Sequence, residues 1–98
     1  MEANIDLDRF PSEAFESLYA TGHWLYTQLR IEKAMPVFRA MIQLVPTDER
    51  GWIGLGACHE VLDHLTVAQI IYEAGLLQTM NHPNLRAALN RLQEGSNR

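Results

Sequence analysis

The feature that most constrains this chain is a repeat with a period of 34 residues between Leu18 and Met80. Five pairs of positions separated by that interval match in kind, small residue with small and bulky apolar residue with bulky apolar. The pairs are Leu18 and Trp52, Gly22 and Gly56, Ala34 and Ala68, Phe38 and Tyr72, and Ala40 and Ala74. A unit of this length cannot bury its apolar face alone, so the copies are expected to stack against one another.

Within each copy, apolar residues recur every three or four positions, which indicates amphipathic helices. We predict a first helix capped by Ser12 with an inward stripe reaching Leu29, and four more over about residues 31–45, 48–62, 65–79 and 84–94. A period of 34 with these residue types is typical of tetratricopeptide (TPR) repeats. The predicted fold is all-α and TPR-like, with two full helix pairs and a C-terminal closing helix. Residues 1–11 are expected to form an N-terminal arm, 12–94 the domain and 95–98 a flexible tail.

Composition narrows the class of partner. The net charge is -4 with only eight Lys and Arg residues, which argues against binding nucleic acid through a basic surface. Cys58 is the single cysteine, so an internal disulfide is excluded and a reducing compartment is favoured. The chain contains no apolar run of about 20 residues and its N-terminus lacks a signal-peptide layout, so we predict a cytoplasmic protein without membrane insertion.

The run from Leu44 to Cys58 resembles the TPR-type chaperones of bacterial type III secretion systems, which guard translocator proteins before export. The likeness lies in a Pro-Asp turn, an aromatic residue and then Gly54-Leu55-Gly56-Ala57, and it extends over about Leu18 to Leu92. It implies a chaperone of the bacterial cytoplasm, active in protein secretion and virulence. Such chaperones are usually longer, and a shorter TPR-like class holds the needle subunit together with a second small chaperone. Both a translocator and a needle subunit therefore remain candidate clients.

In TPR folds the first helix of each pair lines a concave groove. Helical periodicity places nine candidate peptide-binding residues on that side: Tyr19, His23, Tyr26, Thr27, Ile53, Ala57, Glu60, Val61 and Arg91. This surface suits an apolar segment, and the resemblance implies a client motif that contains Pro and Leu. The alternative is that the two tyrosines are core residues that pack against the neighbouring helix.

No catalytic or metal site is predicted, and no cofactor. His59, Asp63 and His64 form the closest cluster of ligand types, but they do not complete a tetrahedral set, and His59 falls on the predicted core stripe. Cys58 and His59 are adjacent on a helix, where neighbouring side chains point about 100° apart, so the histidine cannot readily activate the thiol. The chain is predicted to bind rather than to catalyse.

Trp24 is a candidate interface residue, because it lies where a preceding helix would pack and the first repeat has none. The N-terminal arm with Ile5, Leu7 and Phe10, a homodimer mate or a second small chaperone could cover it. The predicted function is a chaperone that masks an apolar segment of a type III secretion substrate and so prevents premature assembly. The alternative is a TPR adaptor that scaffolds folded partners.

Overall fold

The computed structural model describes residues 10–96, and these are folded into five helices with no strand in that range. The helices are α1 (Phe10–Thr27), α2 (Ile31–Leu44), α3 (Glu49–Val61), α4 (Leu65–Gln78) and α5 (Pro83–Ser96). The predicted all-α, TPR-like class is confirmed. No helix in the described part of the chain is both long and apolar enough to cross a membrane.

Contacts between helices define which side of the array is concave. Each helix packs against the next, and in addition α3 touches both α1 and α5, whereas within residues 10–96 α2 and α4 do not touch each other. The odd-numbered helices are therefore closer together than the even-numbered ones. They form the inner layer of a curved stack, as expected for helix-pair repeats.

The helix ends agree with the sequence patterns to within three residues. Asp48 caps α3, because its carboxylate accepts a hydrogen bond from the Arg50 backbone N–H at 3.0 Å. At the N-terminus α1 starts at Phe10, so Ser12 lies in the first turn and is not the N-cap. Helix α5 runs to Ser96, two residues beyond the predicted end of the domain. Shifts of this size are usual where terminal turns lack partners for their backbone groups.

Leu29 was predicted to face inward, and this is wrong. Helix α1 ends at Thr27, and Leu29 adopts a left-handed backbone with φ 61° and is 75% exposed. The Arg30 N–H then donates to the Leu25 carbonyl at 2.9 Å, which closes the helix end with a Schellman-type bond. The same turn recurs one period later at Asp63, with φ 62°.

Two apolar clusters form the core. The first joins α1, α2 and α3 and contains Phe15, Ile31, Ala34, Phe38, Met41, Leu55 and Cys58. The second joins α4 and α5, with Trp52 of α3 packed against it, and contains Ala68, Tyr72, Leu76, Leu85, Leu89 and Leu92. Glycines make room for the large rings at the helix crossings. A Cβ built at Gly22 would lie 3.1 Å from Phe38, and one built at Gly56 would overlap the ring of Tyr72.

Candidate peptide-binding groove

Two adjoining clefts lie on the concave face. The larger cleft, of about 370 Å³, is lined by Tyr19, His23, Tyr26, Phe38, Glu49, Arg50, Ile53, Gly54, Ala57 and Asn84. The smaller, of about 330 Å³, is lined by Tyr26, Ala57, Glu60, Val61 and Arg91. Because Tyr26 and Ala57 line both, the two clefts form one continuous groove along α1, α3 and α5, which we call the concave groove.

The structure brings together eight of the nine residues predicted for this surface. Thr27 is the exception, since it lines neither cleft. Its hydroxyl donates to the Trp24 carbonyl at 2.8 Å, within the last turn of α1. Helical counting assumed that the inner face continues to the helix end, where the chain in fact turns away. That the other eight residues bind a peptide remains a prediction.

Tyr19 and Tyr26 combine the two roles that the sequence left open. Both rings are partly buried and pack against the first core cluster, and both also line the groove. Partial burial raises the pKa of Tyr26 above its usual value, because desolvation disfavours the phenolate. Each ring therefore contacts the core and also contributes to the wall of the groove.

Arg50 holds one end of the groove together, and the sequence analysis missed it. Its guanidinium donates to both carboxylate oxygens of Glu16 at 3.1 and 2.9 Å and to Asp48 at 3.1 and 3.0 Å. It also stacks on the rings of Phe15 and Tyr19, 4.8 Å from each centroid. Glu16 and Arg50 are one repeat period apart. Opposite charges at equivalent positions of adjacent inner helices could therefore have predicted this ion pair from the sequence.

Glu60 organises the other end. It accepts two hydrogen bonds from Arg91 of α5, at 2.9 and 2.8 Å, and one from the Tyr72 hydroxyl of α4, at 2.5 Å. The Arg91 hydrogen bonds lower the pKa of Glu60, while burial raises that of Tyr72. The carboxylate thus ties α3 to both following helices, and Arg91 enters the groove already paired.

The histidines, the cysteine and the acidic residues considered for metal binding or catalysis do not form a reactive site within residues 10–96. Within residues 10–96 no group of three or more His, Cys, Asp or Glu side chains could hold a metal ion. His59 was expected in the core but is partly exposed, and its Nδ1 lies 3.3 Å from the Nδ1 of His64. Burial raises the pKa of the Cys58 thiol to about 11, opposite to the shift that an activated nucleophile requires.

Comparison with known sequences finds relatives over most of the chain. No family model matches it. It is 31% identical over 91 residues to the low calcium response locus protein H of Yersinia pestis, which covers 91% of this chain and 54% of that protein. The chain therefore spans about half the length of the curated relatives it matches. A shorter stretch of 59 residues is 41% identical to the cell division cycle protein 27 homolog of Caenorhabditis elegans, over 7% of that protein.

Solved structures resemble this chain over an even larger share of their length. The type III secretion translocator chaperone SycD of Yersinia enterocolitica superimposes with a TM-score of 0.79 at 27% identity, covering 91% of this chain and 68% of SycD. PcrH, solved in complex with the chaperone binding region of PopD, gives a TM-score of 0.72 at 27% identity and covers 99% of this chain and 69% of PcrH. The predicted resemblance is confirmed: in sequence and in fold, this chain is similar to translocator chaperones of type III secretion systems.

Proposed function

We propose that this chain is a cytoplasmic chaperone of a bacterial type III secretion substrate, which holds an apolar segment of its client in the concave groove. The observation that carries the proposal is the continuous groove, lined by two tyrosines, Ile53 and Ala57, in a relative of a chaperone solved with its client's binding region. Its action is binding rather than catalysis. Covering the segment would prevent the client from assembling before export.

The groove suits an extended or helical apolar segment. Its middle is made of aromatic and aliphatic surface, and both of its arginines are already paired, Arg50 with Glu16 and Arg91 with Glu60. A client side chain buried there displaces water from apolar surface, at about 25 cal/mol per Å². No buried charge has to be neutralised by the client, so apolar anchors supply most of the affinity.

Between the two candidate clients we favour a translocator. SycD is a type III secretion translocator chaperone, and PcrH has been solved in complex with the chaperone binding region of PopD. The needle subunit stays the second candidate. SycD has also been solved as an alternative dimer, so a homodimer is one way in which exposed surface of this chain could be covered. A second small chaperone is the other.

The test is to purify the protein from the bacterium that encodes it and to identify stoichiometric partners by mass spectrometry. A hydrophobic translocator or a needle subunit is expected, and which of the two appears decides between the clients. Co-expression should also make that partner soluble. Folded cytosolic proteins without any secreted component would instead favour the adaptor alternative and contradict the chaperone proposal.

A double variant tests whether the groove is the binding surface. Tyr19→Ala with Tyr26→Ala removes both aromatic walls and is expected to abolish client co-purification while the far-UV circular dichroism stays helical. The matched control is Leu77→Ala with Met80→Ala, because these side chains are 83% and 89% exposed and lie outside the groove. Undiminished binding in the tyrosine variant, or equal loss in both variants, would contradict the groove assignment.

A further inference from the structure

A third cleft adjoins the concave groove at the edge where α1 turns into α2. It has a volume of about 690 Å³ and is lined by Leu29 to Lys33 together with Val61 and Leu62. Val61 also lines the smaller groove cleft. The groove and this third cleft, which we call the turn cleft, therefore border on the same side chain.

The turn cleft presents apolar side chains to solvent. Leu29 is 75% exposed and Val61 48% exposed. Trp24 is 54% exposed, and the guanidinium of Arg30, a lining residue, lies 5.9 Å from the centre of its ring. Large apolar side chains that cluster on the surface mark interaction sites more often than singly scattered ones do.

The charges of the turn cleft favour an acidic partner. Arg30 and Lys33 outnumber the single lining acid, Glu32. Among the described residues, no ion pair joins Arg30 or Lys33 to a carboxylate. Two cations next to exposed apolar surface attract a segment in which an acidic residue accompanies apolar ones.

We propose that the turn cleft binds the flank of the same client segment that occupies the concave groove, with an apolar side chain against Leu29 and Val61 and an acidic residue facing Arg30 and Lys33. This inference rests on the proposed function. The continuity at Val61 supports one occupant, because a flank tethered to a bound segment associates without a second loss of translational freedom. A second copy of this chain, or its own residues 1–9, are the competing occupants.

Site-specific photo-crosslinking in the bacterium that encodes the protein tests the occupant. A photoreactive phenylalanine analogue replaces Leu29 in one variant, Ile53 of the groove in a second, and the exposed Gln43 of α2 in a control. We expect Leu29 and Ile53 to crosslink neighbouring stretches of one client, and Gln43 not to crosslink it. Capture at Ile53 alone would overturn the turn-cleft proposal and leave the chaperone function standing, whereas no client at either position would contradict both. Crosslinks from Leu29 to residues 1–9 or to a second copy would also overturn it.

Charge reversal tests whether an acidic residue of the client faces Arg30 and Lys33. Two peptides are made from the crosslinked client segment, one that includes the flank and one that lacks it. Arg30→Glu with Lys33→Glu is expected to lower the affinity for the longer peptide about tenfold. This is the effect of losing two charge contacts of about 0.7 kcal/mol each. The shorter peptide should bind unchanged. Arg39→Glu with Arg86→Glu changes the net charge equally at residues that line none of the three clefts. Two results would refute a specific contact: an equal loss of affinity in both double variants, or an equal effect of Arg30→Glu with Lys33→Glu on both peptides.

Discussion

Adding one methyl group at Gly56 should destabilise the protein, although helix propensity alone predicts the opposite. Gly56 lies inside α3, where Gly→Ala normally stabilises a helix by about 1 kcal/mol. Here the new Cβ would lie 2.6 Å from Cζ and 2.8 Å from Cδ1 of Tyr72, and closer still to Cε1. Ordinary carbon contacts are about 3.5–4.0 Å, so the ring would have to move by about 1 Å or more.

The ring of Tyr72 cannot move without cost. It is 1% exposed, and its hydroxyl donates to Glu60, which in turn holds Arg91. Overpacking costs about 1–3 kcal/mol, and a hydrogen bond to a charged group is worth about 1.5–3 kcal/mol. After subtraction of the propensity gain of about 1 kcal/mol, Gly56→Ala should lose about 1.5–5 kcal/mol. That is a large share of the roughly 5–15 kcal/mol by which a domain is normally stable.

Urea unfolding followed by far-UV circular dichroism measures this loss. Gly95→Ala is the matched control, because the same methyl group in α5 would meet no atom within 4 Å and should leave stability unchanged or slightly raised. Gly22→Ala should fall between the two, since its Cβ would lie 3.1 and 3.2 Å from the ring of Phe38. A Gly56→Ala protein as stable as the parent would refute the close packing described for Tyr72.

Three further predictions concern single residues. Leu29→Gly should raise the free energy of unfolding, measured in urea, by about 0.5–1 kcal/mol. Glycine adopts the left-handed backbone without the steric cost that a residue with a Cβ pays there. The control Gln28→Gly should lower the free energy of unfolding, because Gln28 does not have a left-handed backbone. Since hydrogen bonding to Arg91 lowers the pKa of Glu60 from 4.5, that pair stabilises the fold fully above pH 4.5 and less as the pH falls below it. Urea unfolding at several pH values should show this loss, and a Glu60→Gln variant with the same acid dependence would contradict it. Cys58, fully buried with a pKa raised to about 11, should react with a thiol reagent roughly a hundredfold more slowly than in urea-unfolded protein at mildly alkaline pH, and a comparable rate would argue against its burial.

Some of the charged network follows from the repeat once its geometry is known. Glu16 and Arg50 occupy equivalent positions of successive repeats, and they meet because α1 and α3 are neighbours on the inner layer. Glu60 and Arg91 are 31 residues apart, not 34, so no comparison of equivalent positions would pair them. Their contact depends on the angle at which α5 crosses α3.

The sequence by itself determined the helices, their order and most of the inner face. These depend on local spacing, because apolar residues every three or four positions define one side of a helix, and residues such as Asp48 cap its start within a few positions. The 34-residue period then determined how the helices stack. Eight of nine predicted groove residues line the clefts for this reason.

Only the tertiary structure decided the ends of the groove and the surface beyond it. Arg50 and Glu60 act through partners on other helices, and those contacts depend on distances that a linear pattern does not contain. Leu29 reads as one more residue of an apolar stripe, yet the chain leaves the helix two residues earlier and turns it to solvent. The turn cleft exists because that exposed residue lies beside Val61 of the next repeat, a proximity that packing of the repeats alone creates.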